Sequence, residues 1–425
     1  MRRTIDLLII CIAVLSAAET RGQIGVSSPY TSRGLGYLNE SLSVPVVGMS
    51  GVSLGLRDPQ IINFTNPASY TAFDSLSFVF EGGFYMNSTS LRTTDFTEES
   101  TSASMTHLLF GFPITRWWKS SFGLLPYSQV GYQVFSDDIS DDVGKVRHRY
   151  EGSGGVNQFY FGNGFKPFEF LSVGVNVAYL FGTIEKYQYI SFPDSIYYLG
   201  TKTSNLTTIG DFAFNFGLQG HIPLKNDLRL NIGATFNLGN PADARRDYLA
   251  QTYLGTVNNI ETIVDTVQIS MDEAGVIDMP AGYGAGVMLE KKDKWRIGFD
   301  FKQENWSQLK IYGEDGRLSD SYRFALGGEF APDKLNGIRY YERMDYRLGA
   351  FYSQTSLNIR DRQLHEFGIT FGLGLPVIKS KSMINFAFEI GRRGTMEEGL
   401  IREDFMELSV GISVYEFWFF KRRYY

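Results

Sequence analysis

Four histidines, His107, His148, His221 and His365, are the first residues to test for chemistry, because imidazole serves both metal binding and proton transfer. They lie on separate segments, without the short spacing that puts two zinc ligands on one element. A hydrolase needs a serine, a histidine and an acid or amide together. His221 and His365 could meet only across a large fold, and no pattern singles out a serine nucleophile. Asp137, Asp138, Asp141 and Asp142 offer carboxylate oxygens for Ca²⁺ but lack the glycine and terminal glutamate of a calcium loop, so they read as a solvated acidic loop. Gly152-Ser153-Gly154-Gly155 and Gly284-Ala285-Gly286 have the glycine content of phosphate loops, yet no Lys-Ser/Thr follows either. The sequence therefore predicts no catalytic residue, no metal site and no cofactor, and the chain reads as a non-enzyme.

What remains is a set of ionised residues in the middle of otherwise alternating apolar segments: Arg229, Arg296, Asp300, Arg323, Glu329, Arg347, Glu389 and Glu407. The segments have a period of two. Phe212, Phe214, Phe216 and Leu218 share one face against Asp211, Ala213, Asn215 and Gly217, and Trp295, Ile297, Phe299 and Phe301 oppose Arg296, Gly298, Asp300 and Lys302. That alternation specifies strands. Strands of a soluble sandwich usually run about five or six residues, whereas a tilted strand crossing a bilayer needs about 9 to 11, and these segments have the longer size. Charges on the face opposite the apolar one suit a wet lumen. Gly217, Gly233, Gly298, Gly349, Gly372 and Gly411 lie among them and are expected to leave room for the charged side chains. The fold expected is all-β, a transmembrane antiparallel barrel.

Composition agrees. Of 425 residues only 20% are charged, 45 are Gly and 15% are aromatic, and the mean hydropathy is −0.14. Beyond the first two dozen residues there is no run of 18 apolar residues, which excludes a bundle of spanning helices. A net charge of −6 and a pI near 5.4 argue against a general nucleic-acid binder, and 34 Phe with 25 Tyr argue against a solvated coil. Arg2 and Arg3 followed by the apolar stretch Leu7 to Ala18 predict a signal peptide over 1–23, cut between Ala18 and Gln23. The alternative is a lipoprotein signal in which Cys11 carries the anchor. Cys11 is the one cysteine, so a chain cut after it has no disulfide or thiol chemistry.

Alternating segments fill residues 76–414, the first at about 76–86 and the last at about 403–414, and they number about fourteen, an even count as bacterial barrels require. The stretch 240–279 is long enough to hide two more, since Thr262–Ser270 also alternates, so sixteen is the alternative count. Short connections carrying Arg116, Lys166, Lys225, Lys291, Lys334 and Lys381 read as periplasmic turns. The longer and more acidic stretches 87–102, 135–152, 191–205 and 240–279 read as outer loops. Trp117, Trp118, Trp295 and Trp306 are assigned to interfacial girdles. Residues 24–75, rich in Gly, Ser, Asn and Pro, break the pattern and are expected to fold into the lumen as a plug. They hold enough Val, Leu and Ile (Val44, Val46, Val47, Leu54, Leu56, Ile61, Ile62) to line or fill it. The end, 415–425, adds a basic and aromatic tail with Trp418, Lys421, Arg422 and Arg423, readable as an interfacial anchor or as a docking tail.

At Asn66-Pro67-Ala68, in a Gly-rich segment before a barrel of this size, the chain resembles the FadL family of outer-membrane transporters, in which an N-terminal hatch carrying Asn-Pro-Ala precedes a fourteen-stranded barrel. Ser32-Arg33-Gly34-Leu35-Gly36, Gly154-Gly155-Val156-Asn157-Gln158-Phe159-Tyr160 and the ending Leu408-Ser409-Val410-Gly411…Trp418-Phe419-Phe420-Lys421-Arg422-Arg423 are similar to the Bacteroidota branch, which includes PorV and accessory barrels of outer-membrane assembly. The resemblance implies an integral outer-membrane location among lipid and lipopolysaccharide. It also implies passive transport of hydrophobic small molecules such as long-chain fatty acids, through a pocket above the hatch and a sideways gap in the wall. The alternative it implies is a non-transporting subunit of an outer-membrane assembly or type IX secretion complex. Large apolar residues are scarce on the inward face, with Leu180 and Phe351 among the few, and that departs from a fatty-acid channel.

Overall fold

The computed structural model describes residues 28–417 except 41, 196, 258–259, 335–336 and 379. The predicted signal peptide and the tail residues Trp418, Lys421, Arg422 and Arg423 lie outside the described residues.

Sixteen long strands follow one another: β1 Ser77–Arg92, β2 Thr97–Pro113, β3 Trp118–Ser140, β4 Gly144–Phe168, β5 Leu171–Ser191, β6 Gly200–Pro223, β7 Leu228–Asn237, β8 Pro241–Val257, β9 Ile260–Asp278, β10 Gly282–Lys291, β11 Trp295–Glu304, β12 Ser321–Phe330, β13 Asp345–Ile359, β14 Arg362–Pro376, β15 Met383–Arg393 and β16 Arg402–Phe417. Every neighbouring pair is antiparallel, and β16 pairs with β1 from Phe417↔Ser77 to Arg402↔Arg92, which closes the barrel. The count of crossings is settled at β6. Its lower half pairs with β7 and its upper half with β8, while β7 and β10 pair below and β8 and β9 pair above. β7–β8 and β9–β10 are therefore two long strands, each interrupted once. The barrel has fourteen crossings, and Thr262–Ser270 extends one of them rather than adding another.

The outward residues are apolar and exposed over the middle of each crossing, for example Phe216, Leu218, Ile232, Phe236, Ile297, Phe299, Leu326 and Phe371. A wall of that kind suits lipid. The expected outer loops are instead mostly strand. β1 runs up to Arg92, β3 and β4 reach Ser140 and Gly144, and the turn at residues 93–96 is tight. Above the bilayer a strand needs no apolar face, so alternation vanishes from the sequence while the backbone ladder continues. Asp137 belongs to such an extension, where Arg147 Nε and Lys145 Nζ lie 2.7 and 2.8 Å from its carboxylate. No group of three or more possible metal ligands occurs among the described residues. At a short turn Trp118 stacks on Phe165 and Trp117 lies tilted against the same ring. Trp306 departs from the girdle assignment: the connection after β11 folds inward and buries it beside Leu309, with Nε1 donating to Glu304 at 2.7 Å.

Residues 28–75 run through the interior with little regular structure: a 3-10 turn at Pro29–Ser32, a two-residue strand at Tyr37–Leu38, one helical turn at Val44–Val47 and a 3-10 turn at Pro67–Ala72. Their apolar side chains pack on inward residues of the wall. Val46, Met49, Val52 and Leu56 meet Met288, Ala325, Phe351 and Phe405, and Ile62, Tyr70 and Phe73 meet Leu109, Leu125 and Tyr160. Most of the valines, leucines and isoleucines proposed as a cavity lining are spent on this packing instead.

The inward glycines have a second use beside the one expected. A Cβ on Gly233 would collide with the carbonyl of Leu54, one on Gly327 with that of Met49, and one on Gly174 or Gly217 with the Asn66-Pro67 stretch. These admit the backbone of the N-terminal segment, whereas a Cβ on Gly372 would press on the Arg347 side chain and one on Gly286 on the Asp300 carboxylate, the use expected. We predict that Gly233→Leu, tolerated by the strand itself, displaces the segment: limited proteolysis of the inserted protein should then cut within residues 50–70, a region the unaltered protein protects.

Candidate functional site in the barrel lumen

Asn66 is fully buried and fastens the segment to itself and to the wall. Its Oδ1 accepts from the Ala68 amide at 3.2 Å, capping the turn that Pro67 starts, and its Nδ2 donates to the carbonyls of Leu54 at 2.8 Å and Leu218 at 3.3 Å. Nearby, Gln219 Nε2 donates to Leu54 O at 2.8 Å, Asn176 Nδ2 to Phe64 O at 2.9 Å, and Tyr70 OH to Asn176 Oδ1 at 2.9 Å. With so little secondary structure, the segment's polar backbone is satisfied by wall side chains.

The predicted charged residues separate into levels. Low in the barrel, Glu329 lies between Arg296 at 2.7 Å and Arg347 at 2.7 Å; Arg296 also holds Asp58 of the segment at 2.6 Å. Arg347 continues to Asp345 at 3.3 Å and Asn385 at 3.0 Å, and Asp345 to Lys334 at 3.0 Å. At mid-height the Asp300 carboxylate accepts from the amides of Ser53 at 2.6 Å and Leu54 at 2.8 Å. Higher up, Arg323 pairs with Glu40 at 2.7 Å and lies 3.8 Å over the Phe351 ring. Glu389 and Glu407 stand opposite one another on β15 and β16, and Glu407 accepts from Ser409 Oγ at 3.0 Å. Arg229 stays apart, half exposed and 3.8 Å from Glu290.

Register explains the lower row. Arg296, Glu329 and Arg347 are directly paired positions on β11, β12 and β13, so alternating charge crosses three strands in line. The same holds for Glu366, Arg393 and Glu403 on β14, β15 and β16, a row that strand-by-strand reading missed. Aligning the charges of neighbouring segments would have found both. Asp58 and Glu40 carried no such signal, because the segment they belong to has no period.

The wall is interrupted between its second and third strands. β1 pairs with β2 along almost its whole length, and β3 with β4 likewise, but β2 and β3 pair only from Pro113↔Lys119 to Leu108↔Leu124. Just above, β3 carries Pro126, which has no amide to donate, and a register shift before Ser128. Past that point the edge of β3 turns to the N-terminal segment. Tyr37 and Leu38 pair with Gln129 and Ser128, the Asn39 amide donates to Tyr127 O at 2.9 Å, and the Ser28 amide to Gly131 O at 2.9 Å. Gln129 itself spans the break: its Oε1 accepts from Tyr85 OH at 2.9 Å on β1 and its Nε2 donates to Ser104 Oγ at 3.3 Å on β2. This geometry is a barrel crossed by an N-terminal segment and opened between its second and third strands.

The chain belongs to the BamG family. The family model matches residues 1–425. No curated protein matches the sequence. Among solved structures it is similar to the CymD monoaromatic hydrocarbon channel, at 14% identity over 90% of this chain and 98% of that one, with a TM-score of 0.56. A Pseudomonas aeruginosa FadL homologue is similar at 12% identity over 90% and 99% of the two chains, TM-score 0.56. The Pseudomonas putida toluene transporter TodX is similar at 15% over 89% and 98%, TM-score 0.57. At such identities the likeness speaks for the FadL-type fold.

Two chambers flank the segment in this BamG-family barrel. Behind the break lies one of about 140 Å³ with a mixed lining, in which Ser102, Thr106, Glu389, Glu407 and Arg323 face Leu42, Val47 and Phe405. A larger one of about 320 Å³ is lined by Leu35, Leu38, Tyr127, Trp306, Leu318 and Leu357 together with Asn176, Asn215 and Asn237. Among the described residues no histidine is part of a triad: His221 Nε2 contacts Ser172 Oγ at 2.9 Å, but no carboxylate is hydrogen-bonded to its Nδ1. His365 contacts Tyr352 OH at 2.9 Å, His107 is buried beside Thr106, and His148 lies 3.5 Å from Asp138; His221 and His365 are held on separate strands and do not meet.

The low charge cluster should behave as a clamp. Arg347→Met leaves Glu329 and Asp345 short of a cation and is expected to cost about 3–5 kcal/mol, read as a lowered unfolding midpoint of the detergent-solubilised barrel. Burial opposes ionisation of Asp58, but Arg296 and Lys334 outweigh it and hold this carboxyl below the usual carboxylate range. Its contribution is thus complete at neutral pH and lost only as pH falls through that depressed value. Protease protection of the segment should fall in strong acid, and Asp58→Asn should make that fall smaller, with Asp300 and Glu40 still titrating.

Proposed function

We propose that this protein sits in the outer membrane, among lipid and lipopolysaccharide, as a fixed, non-enzymatic accessory subunit of the machinery that assembles outer-membrane proteins. The observation that carries this reading is the treatment of the wall break. In a channel for apolar molecules the sideways gap is the route, and it needs an apolar path behind it. Here the break is bridged by Gln129, Tyr85 and Ser104, stitched to residues 28–39, and backed by a chamber in which Glu389, Glu407 and Arg323 lie among Leu42, Val47 and Phe405. An apolar solute on this route would have to part the hydrogen bonds of Gln129 with Tyr85 and Ser104 and pass the charges of Glu389, Glu407 and Arg323, which loses the advantage of avoiding water. The family name suggests the assembly role.

A second reading keeps one specific support. The larger chamber has apolar walls and a size suited to a small amphiphile, as expected of a passive channel for hydrophobic molecules such as long-chain fatty acids.

Gentle detergent extraction of the tagged protein from its own outer membrane, followed by mass spectrometry of all that stays bound, separates the two. The accessory reading expects stoichiometric recovery with assembly components. Recovery alone, with an amphiphile that a competitor displaces, would replace it with the channel reading.

A further inference from the structure

The β8–β9 hairpin rises well beyond the membrane. On β6 the outward apolar row ends at Phe212, while β6 Lys202 pairs with Gln251 of β8 and Gln251 with Thr266 of β9. Thr266 therefore stands about ten residues above the row, on the order of 30 Å along the strand. One edge of β9 is paired with β8. Along the other, the connection after β11 covers only the base: Lys310 and Ile311 pair with Asp278 and Ile277, the Tyr312 amide donates to Val276 O at 3.0 Å, and Tyr312 OH to Glu273 O at 3.3 Å. From Ile263 to Met271 that edge has no ladder partner among the described residues.

This stretch is not guarded as free edges usually are. Proteins blunt an open edge with lysine, proline, brevity or bulges, because unpaired amides and carbonyls invite another strand, and of these devices only register shifts are present on this edge. Here no Lys, Arg or Pro lies between Ile263 and Met271. Instead Val267, Ile269 and Met271 are 67%, 63% and 61% exposed, with Ile263 and Val264 also exposed, all above the level of Phe212. The charge is one-signed. Arg245 is taken by Asp272 at 2.5 Å and Arg246 by Glu273 at 2.9 Å, which leaves Asp265 with no ion pair among the described residues.

We propose that the Ile263–Met271 edge of β9 receives an extended segment of a different envelope polypeptide, in which β-branched or other apolar residues alternate with Lys or Arg. Backbone pairing supplies affinity, and the exposed Val267, Ile269 and Met271 with Asp265 supply selectivity. A second copy of this chain fits worse. Its own edge is acidic, and the register shifts at 263–265, 266–268 and 270–273 would set one irregular ladder against another. The inference rests on the subunit reading and names the surface through which a partner binds.

The test uses the full-length protein in its native outer membrane, with a photo-crosslinking amino acid in place of Thr266 and, as a control, in place of Thr207, which lies within the paired sheet. The expected result is one heterologous protein joined at 266 and not at 207, its crosslinked peptide alternating apolar and basic residues. The double variant Val267→Lys with Ile269→Lys should lower that product at least tenfold while leaving heat-modifiable migration of the barrel unchanged. A crosslinked homodimer, adducts to lipopolysaccharide alone, or a product indifferent to the double variant would overturn the proposal. If assembly components still co-purify in any of those cases, this docking edge fails and the subunit reading stands; if they do not co-purify, both fail.

Discussion

Everything inside this molecule depends on how a wide barrel is filled by a segment that has almost no secondary structure of its own. Fourteen crossings enclose more space than their inward side chains can occupy. The filling chain brings unpaired amides and carbonyls into that space, where each one left unsatisfied is costly. The wall answers with two devices. Glycines let the segment's backbone touch the strands at Leu54, Met49 and Pro67, and polar wall residues supply the bonds a helix or sheet would have made, with Asp300 on Ser53 and Leu54 and Gln219 on Leu54.

The buried charges follow from the same arrangement. Arg296, Glu329 and Arg347 would be solvated residues in an open pore; covered by the segment, they must be paired. Register places them in one row, and Asp58 joins it from the segment side. Such a cluster is poor evidence of net stability, since desolvation offsets much of the attraction. It is good evidence of fit, because removing one member strands the others. A segment held by this cluster, by close glycine contacts and by the edge of β3 is held at every level of the barrel.

The sequence made the membrane part of the fold legible, because lipid forces an apolar outer face and so a period of two. It could not show β1, β3 and β4 continuing upward, since above the membrane the ladder needs no apolar face. The inward position of the charged residues was legible for the same reason as the strands. Their partners were legible only through register, which a single strand does not reveal, and Asp58 and Glu40 were hidden in a segment without period. The wall break was marked by Pro126, but its meaning depended on Tyr37 and Leu38, nearly ninety residues earlier in the chain. The glycines were read as room for charged side chains, which holds at Gly372 beside Arg347 but not at Gly233 beside Leu54, because a glycine records a close approach without naming what approaches.

The central claim is that the N-terminal segment stays where it is while the protein works. Ser50 Oγ and Thr370 Oγ1 lie 2.9 Å apart, joining the segment to β14, and the described residues contain no cysteine to compete with a new pair. Ser50→Cys with Thr370→Cys should therefore oxidise to a disulfide that ties the segment to the wall. Levels of folded outer-membrane proteins in cells carrying only this locked form are the direct measurement. A static subunit predicts levels equal to those of the unaltered protein, with or without a reductant; a loss that reductant restores would show that the segment has to move, and would contradict the account.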